Sequence, residues 1–159
     1  MLNDINMKYF YLDEIKIRAA EYGKGPPVIM VHGWPESWYS WRYQIKPIAN
    51  LGYKVLAIDV RGYGGSTKPY EIKKYDMLSL ISDIIGIIDA ENEDKAILIG
   101  HDWGAPICWN TAALHPNKVK AVIGLSVPYT RRGAISNIEL WKQLYEGKFF
   151  YQVYFQKEG

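Results

Sequence analysis

One carboxylate stands out by its neighbours. In Gly100-His101-Asp102-Trp103-Gly104 it lies between two glycines, with an apolar β-type run over residues 96–99 in front and a helical pattern behind that carries Pro106 in its first turn. A strand, a sharp turn and a helix meet there. The pattern G-x-nucleophile-x-G needs both glycines, because strand and helix approach so closely that a side chain at either place collides. The central residue here is Asp102, not serine. Such a carboxylate emerges at the carboxyl edge of a sheet and faces a helix N-terminus, whose partial positive charge favours the ionised, nucleophilic form. The plainer alternative is a Gly-flanked turn with an N-capping Asp.

The elements that must position Asp102 read as follows. Residues 28–31 form a continuous apolar run of the kind found in a buried parallel strand, and His32-Gly33-Trp34-Pro35 follows at once. A glycine and a proline directly after such a strand force a tight loop, whose backbone N–H groups can point at the same site as Asp102. His32 reads as a structural histidine there, not a general base. Residues 54–58 form the next strand and run into DVRGYGGS, which lacks the terminal Gly-Lys-Ser/Thr and the G-x-G-x-x-G spacing of a phosphate loop. Asp59 and Arg61 read as braces of that turn.

Around these lie a hairpin over residues 7–21, turning at Asp13-Glu14, and a Pro47-initiated helical turn ending at Gly52. Residues 75–90 carry Leu78, Ile81, Ile85 and Ile88 at helical spacing, which predicts one face packed on the sheet. A last apolar run covers residues 119–127. Strand and helix alternate, so the fold class is α/β: a doubly wound, mostly parallel sheet. After Pro128 the character changes. Residues 1–128 form the expected core, and residues 129–159 a second region, weakly helical over 135–146 and rich in aromatics over 145–155. Phe149, Phe150 and Phe155 are expected to pack, whereas a tyrosine hydroxyl there can donate to an anionic leaving oxygen.

Composition excludes several classes. With 159 residues, 48% hydrophobic and 23% charged, the chain is neither disordered nor membranous, and no uncharged apolar run is long enough to span a bilayer. A net charge of +2 argues against nucleic acid as partner. The opening MLNDINMKYF has no basic-then-apolar signal, so a cytoplasmic protein is expected. The single Cys108 reads as inert core packing.

Four segments in order, HGWPESWYSWRYQ, DVRGYGGS, GHDWGAP and FYQVYFQ, resemble the α/β-hydrolase family and, within it, the epoxide hydrolases. The resemblance runs from about residue 10 to the end and implies an incomplete α/β-hydrolase sheet followed by the start of a helical lid. It further implies Asp102 as nucleophile and the backbone N–H groups of Trp34 and Trp103 as oxyanion hole. Pro35 is implied to be a cis proline, with His32, Gly33, Gly100, His101 and Gly104 as motif support. Tyr151, rather than Tyr154, looks like the first of two tyrosines that hold the epoxide oxygen.

The implied substrates are a small epoxide and water, and no cofactor or metal is implied. The chemistry suits the residue types: a carboxylate can open a strained ring at saturated carbon as an alkyl ester, whereas a serine suits a substrate carbonyl.

Haloalkane and haloacid dehalogenases use the same Asp elbow. The haloalkane enzymes typically place Asn where this chain has Trp34, and fluoroacetate-type enzymes place Arg where it has Trp103. A non-catalytic relative of the fold is the other alternative. By the resemblance, the acid and histidine of the triad come after the lid, whereas His32, His101 and His115 all precede or adjoin the elbow helix. Residues 1–159 alone are therefore expected not to turn over, and to self-associate through uncovered sheet.

Overall fold

The chain turns back on itself at Asp13, whose φ of 48° lies in the left-handed region that aspartate tolerates. β1 (Asn6–Leu12) and β2 (Ile15–Gly23) pair antiparallel across this turn, with Leu12 opposite Ile15. In the computed structural model that gives these positions, the described residues are 4–131 and 133–156. They divide into two compact units, Met1–Tyr129 and Thr130–Gly159.

The first unit is built on a six-stranded sheet in the order β1-β2-β4-β3-β5-β6, completed by β3 (Pro27–Val31), β4 (Lys54–Ile58), β5 (Ala96–His101) and β6 (Val119–Leu125). β4, β3, β5 and β6 run parallel, and β2 meets β4 antiparallel. From β3 the chain builds first to one side, as β4, and then to the other, as β5. The carboxyl end of β3 is thus a switch point, where the loops after β3 and β5 diverge and leave a crevice.

All five residues of β3 are buried, as a strand covered on both faces requires. Ile29 and Val31 join Leu56, Ile58, Leu98, Ile107 and Cys108 in one core, under α2 (Met77–Ala90) and α3 (Gly104–Leu114). Val28 and Met30 join Val55, Ala57 and Ile45 in the other, under α1 (Ile45–Ala49). Cys108 lies wholly inside, and burial pushes its thiol far above its ordinary pKa.

α2 starts at Asp76, whose side chain accepts the Ser79 N–H at 2.7 Å. Its buried face is Ile81, Ile84, Ile87 and Ile88, while Leu78 is 66% exposed. Of the expected stripe Ile81 and Ile88 are buried and Ile85 packs against the core, so only Leu78 departs from it, and Ile84 and Ile87 widen the buried face. MLSLISDIIGIIDA is apolar around most of its circumference, so the buried face is broader than one stripe, and Asp83 within it is paired with Arg61.

The second unit holds α4 (Asn137–Leu144) and the four-residue α5 (Tyr151–Tyr154). Ser136 and Glu139 form a reciprocal capping box at the start of α4. Tyr145 and Phe150 stack with ring centroids 4.3 Å apart, and Trp141 leans on both. Phe149 and Phe155 are 75% and 57% exposed, contrary to the packing expected of them, because so short a segment has more surface than interior. Among the described residues no helix is long and apolar enough to cross a membrane.

Candidate active site

β5 ends at His101 and α3 begins at Gly104, so the chain reverses over Asp102 and Trp103. Asp102 takes a φ of 49°, a conformation that costs a non-glycine residue about 1 kcal/mol or more. Its surroundings hold it there: the Asp102 N–H donates to Leu125 O at 3.2 Å, and its carbonyl accepts the Ala105 N–H at 3.0 Å. The flanking glycines are dictated by close approach. A Cβ on Gly100 would lie 2.4 Å from Gly104 O, and one on Gly104 would lie 2.1 Å from Val31 O. The N-cap of α3 is Trp103, without a side-chain cap bond, so Asp102 is not the capping residue of the plainer reading.

The Asp102 carboxylate points toward the loop after β3. Trp34 N–H donates to Asp102 Oδ1 at 2.9 Å, and a Cβ on Gly33 would sit 2.4 Å from Asp102 Cβ and 2.6 Å from Oδ1. The Trp34–Pro35 peptide is cis. Trp103, next in sequence to Asp102, contributes one of the leading amides of α3, which have no partner within the helix. Both indoles are about half exposed, Trp34 at 49% and Trp103 at 45%.

His32 is a brace. Val60 N–H donates to its Nε2 at 3.1 Å, so the proton is on Nδ1, which donates to Gly33 O at 2.7 Å. The ring thereby ties the loop after β3 to the loop after β4, and its burial lowers its pKa. His101 lies beside Glu36, Nδ1 to Oε2 at 3.1 Å, and the same carboxylate oxygen accepts the Gly33 N–H at 3.0 Å.

Two residues here carry no role in the sequence reading. Glu36 could have been suspected from its place three residues after Gly33, where a turn returns its side chain to that amide. Tyr63 was visible only as a lone aromatic in a glycine-rich turn. Its ring meets that of His32 edge-on at 5.1 Å, and burial, then the charge of Asp102, raises its pKa. Tyr151 belongs to the second unit, where its hydroxyl accepts from Gln152 Nε2 at 3.1 Å. Among the described residues no three His, Cys, Asp or Glu are grouped to hold a metal ion.

A mostly parallel sheet with a strained residue between close-packed glycines, at the turn from strand to helix, is a family signature. Residues 26–153 match the family model described as alpha/beta hydrolase fold. The chain belongs to this family. As an α/β-hydrolase it is 43% identical over 147 residues to Epoxide hydrolase A of Mycobacterium tuberculosis, spanning 91% of this chain and 46% of that protein. Epoxide hydrolase B of the same organism is 49% identical over 112 residues, 70% of this chain and 32% of the relative. The crystal structure of Epoxide Hydrolase A from Mycobacterium thermoresistibile superposes with a TM-score of 0.93 at 42% identity, over 98% of this chain and 50% of that one. The chain thus spans half or less of the length of these α/β-hydrolases.

Proposed function

We propose that the protein acts as an epoxide hydrolase through an ester on Asp102. The observation that carries this reading is the single amide on Oδ1: Trp34 N–H holds that oxygen at 2.9 Å, and no partner for Oδ2 is found among the described residues. Oδ1 stays in the hole while Oδ2 attacks the less hindered epoxide carbon. The C–O bond of the ring breaks, and the oxygen leaves as an alkoxide that takes a proton from a phenol, for which Tyr151 is the candidate. Water, giving a proton to a base, then adds to the ester carbonyl, and the negative charge forms on Oδ1, facing the amides of Trp34 and Trp103. One such donor typically contributes about 3 kcal/mol. Collapse of this intermediate breaks the bond from Cγ to the substrate-bearing oxygen, which takes up a proton and leaves as part of the diol.

The second half of the cycle needs a base. His32 is committed on both ring nitrogens, His101 is engaged with Glu36, and His115 lies at the C-cap of α3, the far end of that helix from Asp102. We therefore expect the 159-residue chain to accumulate the ester, since absence of a general base typically slows a step by about 10² to 10⁴. Incubation with styrene oxide followed by mass spectrometry of the peptide holding Asp102 tests this. A stable adduct supports the reading. Sustained diol formation would point to His101 as a working base, and halide release from a haloalkane without any reaction with epoxide would move the protein to the dehalogenases. Among the described residues β6 is one of the two edge strands of the sheet and keeps Ile123 and Leu125 exposed at 50% and 42%, so we further propose self-association along it, measurable by sedimentation.

A further inference from the structure

Beneath the loops that carry Gly33 and Trp103, a recess of about 150 Å³ runs between α2 and α3, walled by Gly33, Tyr63, Tyr75, Leu80, Trp103 and Ile107. It adjoins the nucleophile, because Gly33 touches the Asp102 side chain and Trp103 follows it in the chain.

The polar groups around this recess are engaged elsewhere. Arg61 contributes only its stem: its guanidinium donates from Nε and Nη2 to Asp83 at 2.8 and 2.6 Å, and to the carbonyls of Lys74 and Ser79 at 2.6 and 3.1 Å. His32 is held neutral by the Val60 N–H on Nε2. The Tyr75 hydroxyl donates to Pro69 O at 2.7 Å. The Tyr63 hydroxyl, on a ring fixed edge-on against His32, has no hydrogen-bond partner among the described residues. What is left is an uncharged, largely apolar hollow with one phenol. Its size suits five or six heavy atoms, since an apolar cavity of about 150 Å³ is large enough to take benzene.

We infer that this recess is a specificity subsite, which takes one small, neutral, apolar arm of the molecule bound at Asp102, an alkyl chain of a few carbons or a phenyl ring. A charged or hydroxylated arm is excluded, because it would leave water for walls that offer it few partners. The assignment rests on the epoxide reading for its consequence, and on the cavity alone for binding.

The two are separable on the 159-residue chain with benzene and three epoxides as probes. In methyl NMR, benzene should shift the Leu80 and Ile107 resonances saturably. It should also slow labelling of Asp102 by styrene oxide fivefold or more, while leaving labelling by ethylene oxide, which has no arm, unchanged. Leu80→Trp fills the hollow and should lower the styrene oxide to ethylene oxide labelling ratio at least tenfold. Leu80→Ala enlarges it and should raise that ratio for a naphthyl epoxide, a gain that misfolding cannot imitate. Saturable shifts with no labelling by either epoxide would overturn the Asp102 reading and leave the recess standing as a binding site. Labelling with both ratios unchanged in the Leu80 variants, and no saturable shift, would overturn the recess and leave the Asp102 reading intact.

Discussion

Asp59 and Asp102 follow the carboxyl ends of β4 and β5, the two strands that flank β3. Their fates are opposite. Asp59 is fully buried: Arg18 grips Oδ2 through two nitrogens, each at 2.7 Å, Gly65 N–H reaches the same oxygen at 2.9 Å, and Trp38 N–H takes Oδ1 at 3.0 Å. Asp102 is half buried and accepts the Trp34 amide on Oδ1. Residue type and place along the sheet edge do not separate the two. What separates them is how many lone pairs the fold has already claimed, because an oxygen bound to several donors has little electron density to offer a carbon.

A matched pair of substitutions separates the two carboxylates most strongly. Asp59→Asn removes the partner of a largely buried guanidinium and is expected to cost about 3 kcal/mol in urea denaturation. Asp102→Asn should change stability by less than about 1 kcal/mol, since only one amide contact is involved, and should abolish labelling by epoxide altogether. Equal stability losses in the two variants would mean that Asp102 is also a brace. Next in size is Gly33→Ala. Its methyl would overlap the Asp102 side chain, so about 1–3 kcal/mol of stability and at least tenfold in labelling rate should be lost.

A smaller effect concerns His32. Its folded pKa lies below the ordinary 6.5, so the unfolded chain binds this proton more readily than the folded one. The stability it contributes is complete above pH 6.5 and falls as pH drops through the window below that value, by at most about 1.4 kcal/mol per pH unit. Urea denaturation across pH 5–8 should show this slope, and His32→Gln should flatten it. A profile that is flat in both proteins would remove the buried brace. The smallest effect is expected away from both carboxylates. Ser136→Ala removes the capping box of α4, costs about 1 kcal/mol, and should quicken amide exchange within that helix about fivefold without altering exchange in β3.

Much of the first unit was legible because period and punctuation agree. The hairpin around Asp13-Glu14, the buried run of β3, the end of β4 at Ile58 and the elbow from β5 into α3 all sit where apolar runs meet Gly, Pro or Asp. The breadth of the buried face of α2, and the exposure of Leu78, were not legible, because four isoleucines within five residues, 84 to 88, leave more than one apolar stripe open. Nor was the exposure of Phe149 and Phe155, since aromatic residues near one another in sequence imply packing only if enough chain surrounds them.

At the candidate site the division is similar. Residue order alone places a carboxylate at the strand-to-helix turn, glycines on either side of it, and a second glycine-bearing loop after a neighbouring strand. These follow from local sterics, which depend on a few adjacent residues. The folded chain alone sets which oxygen of Asp102 the Trp34 amide holds, that His32 is neutral with its proton on Nδ1, that Glu36 joins Gly33 to His101, and that Tyr63 borders an apolar recess beside the nucleophile. Each of these depends on groups brought together across the sheet from distant parts of the chain, where the direction of one hydrogen bond sets the chemistry and no spacing along the sequence records it.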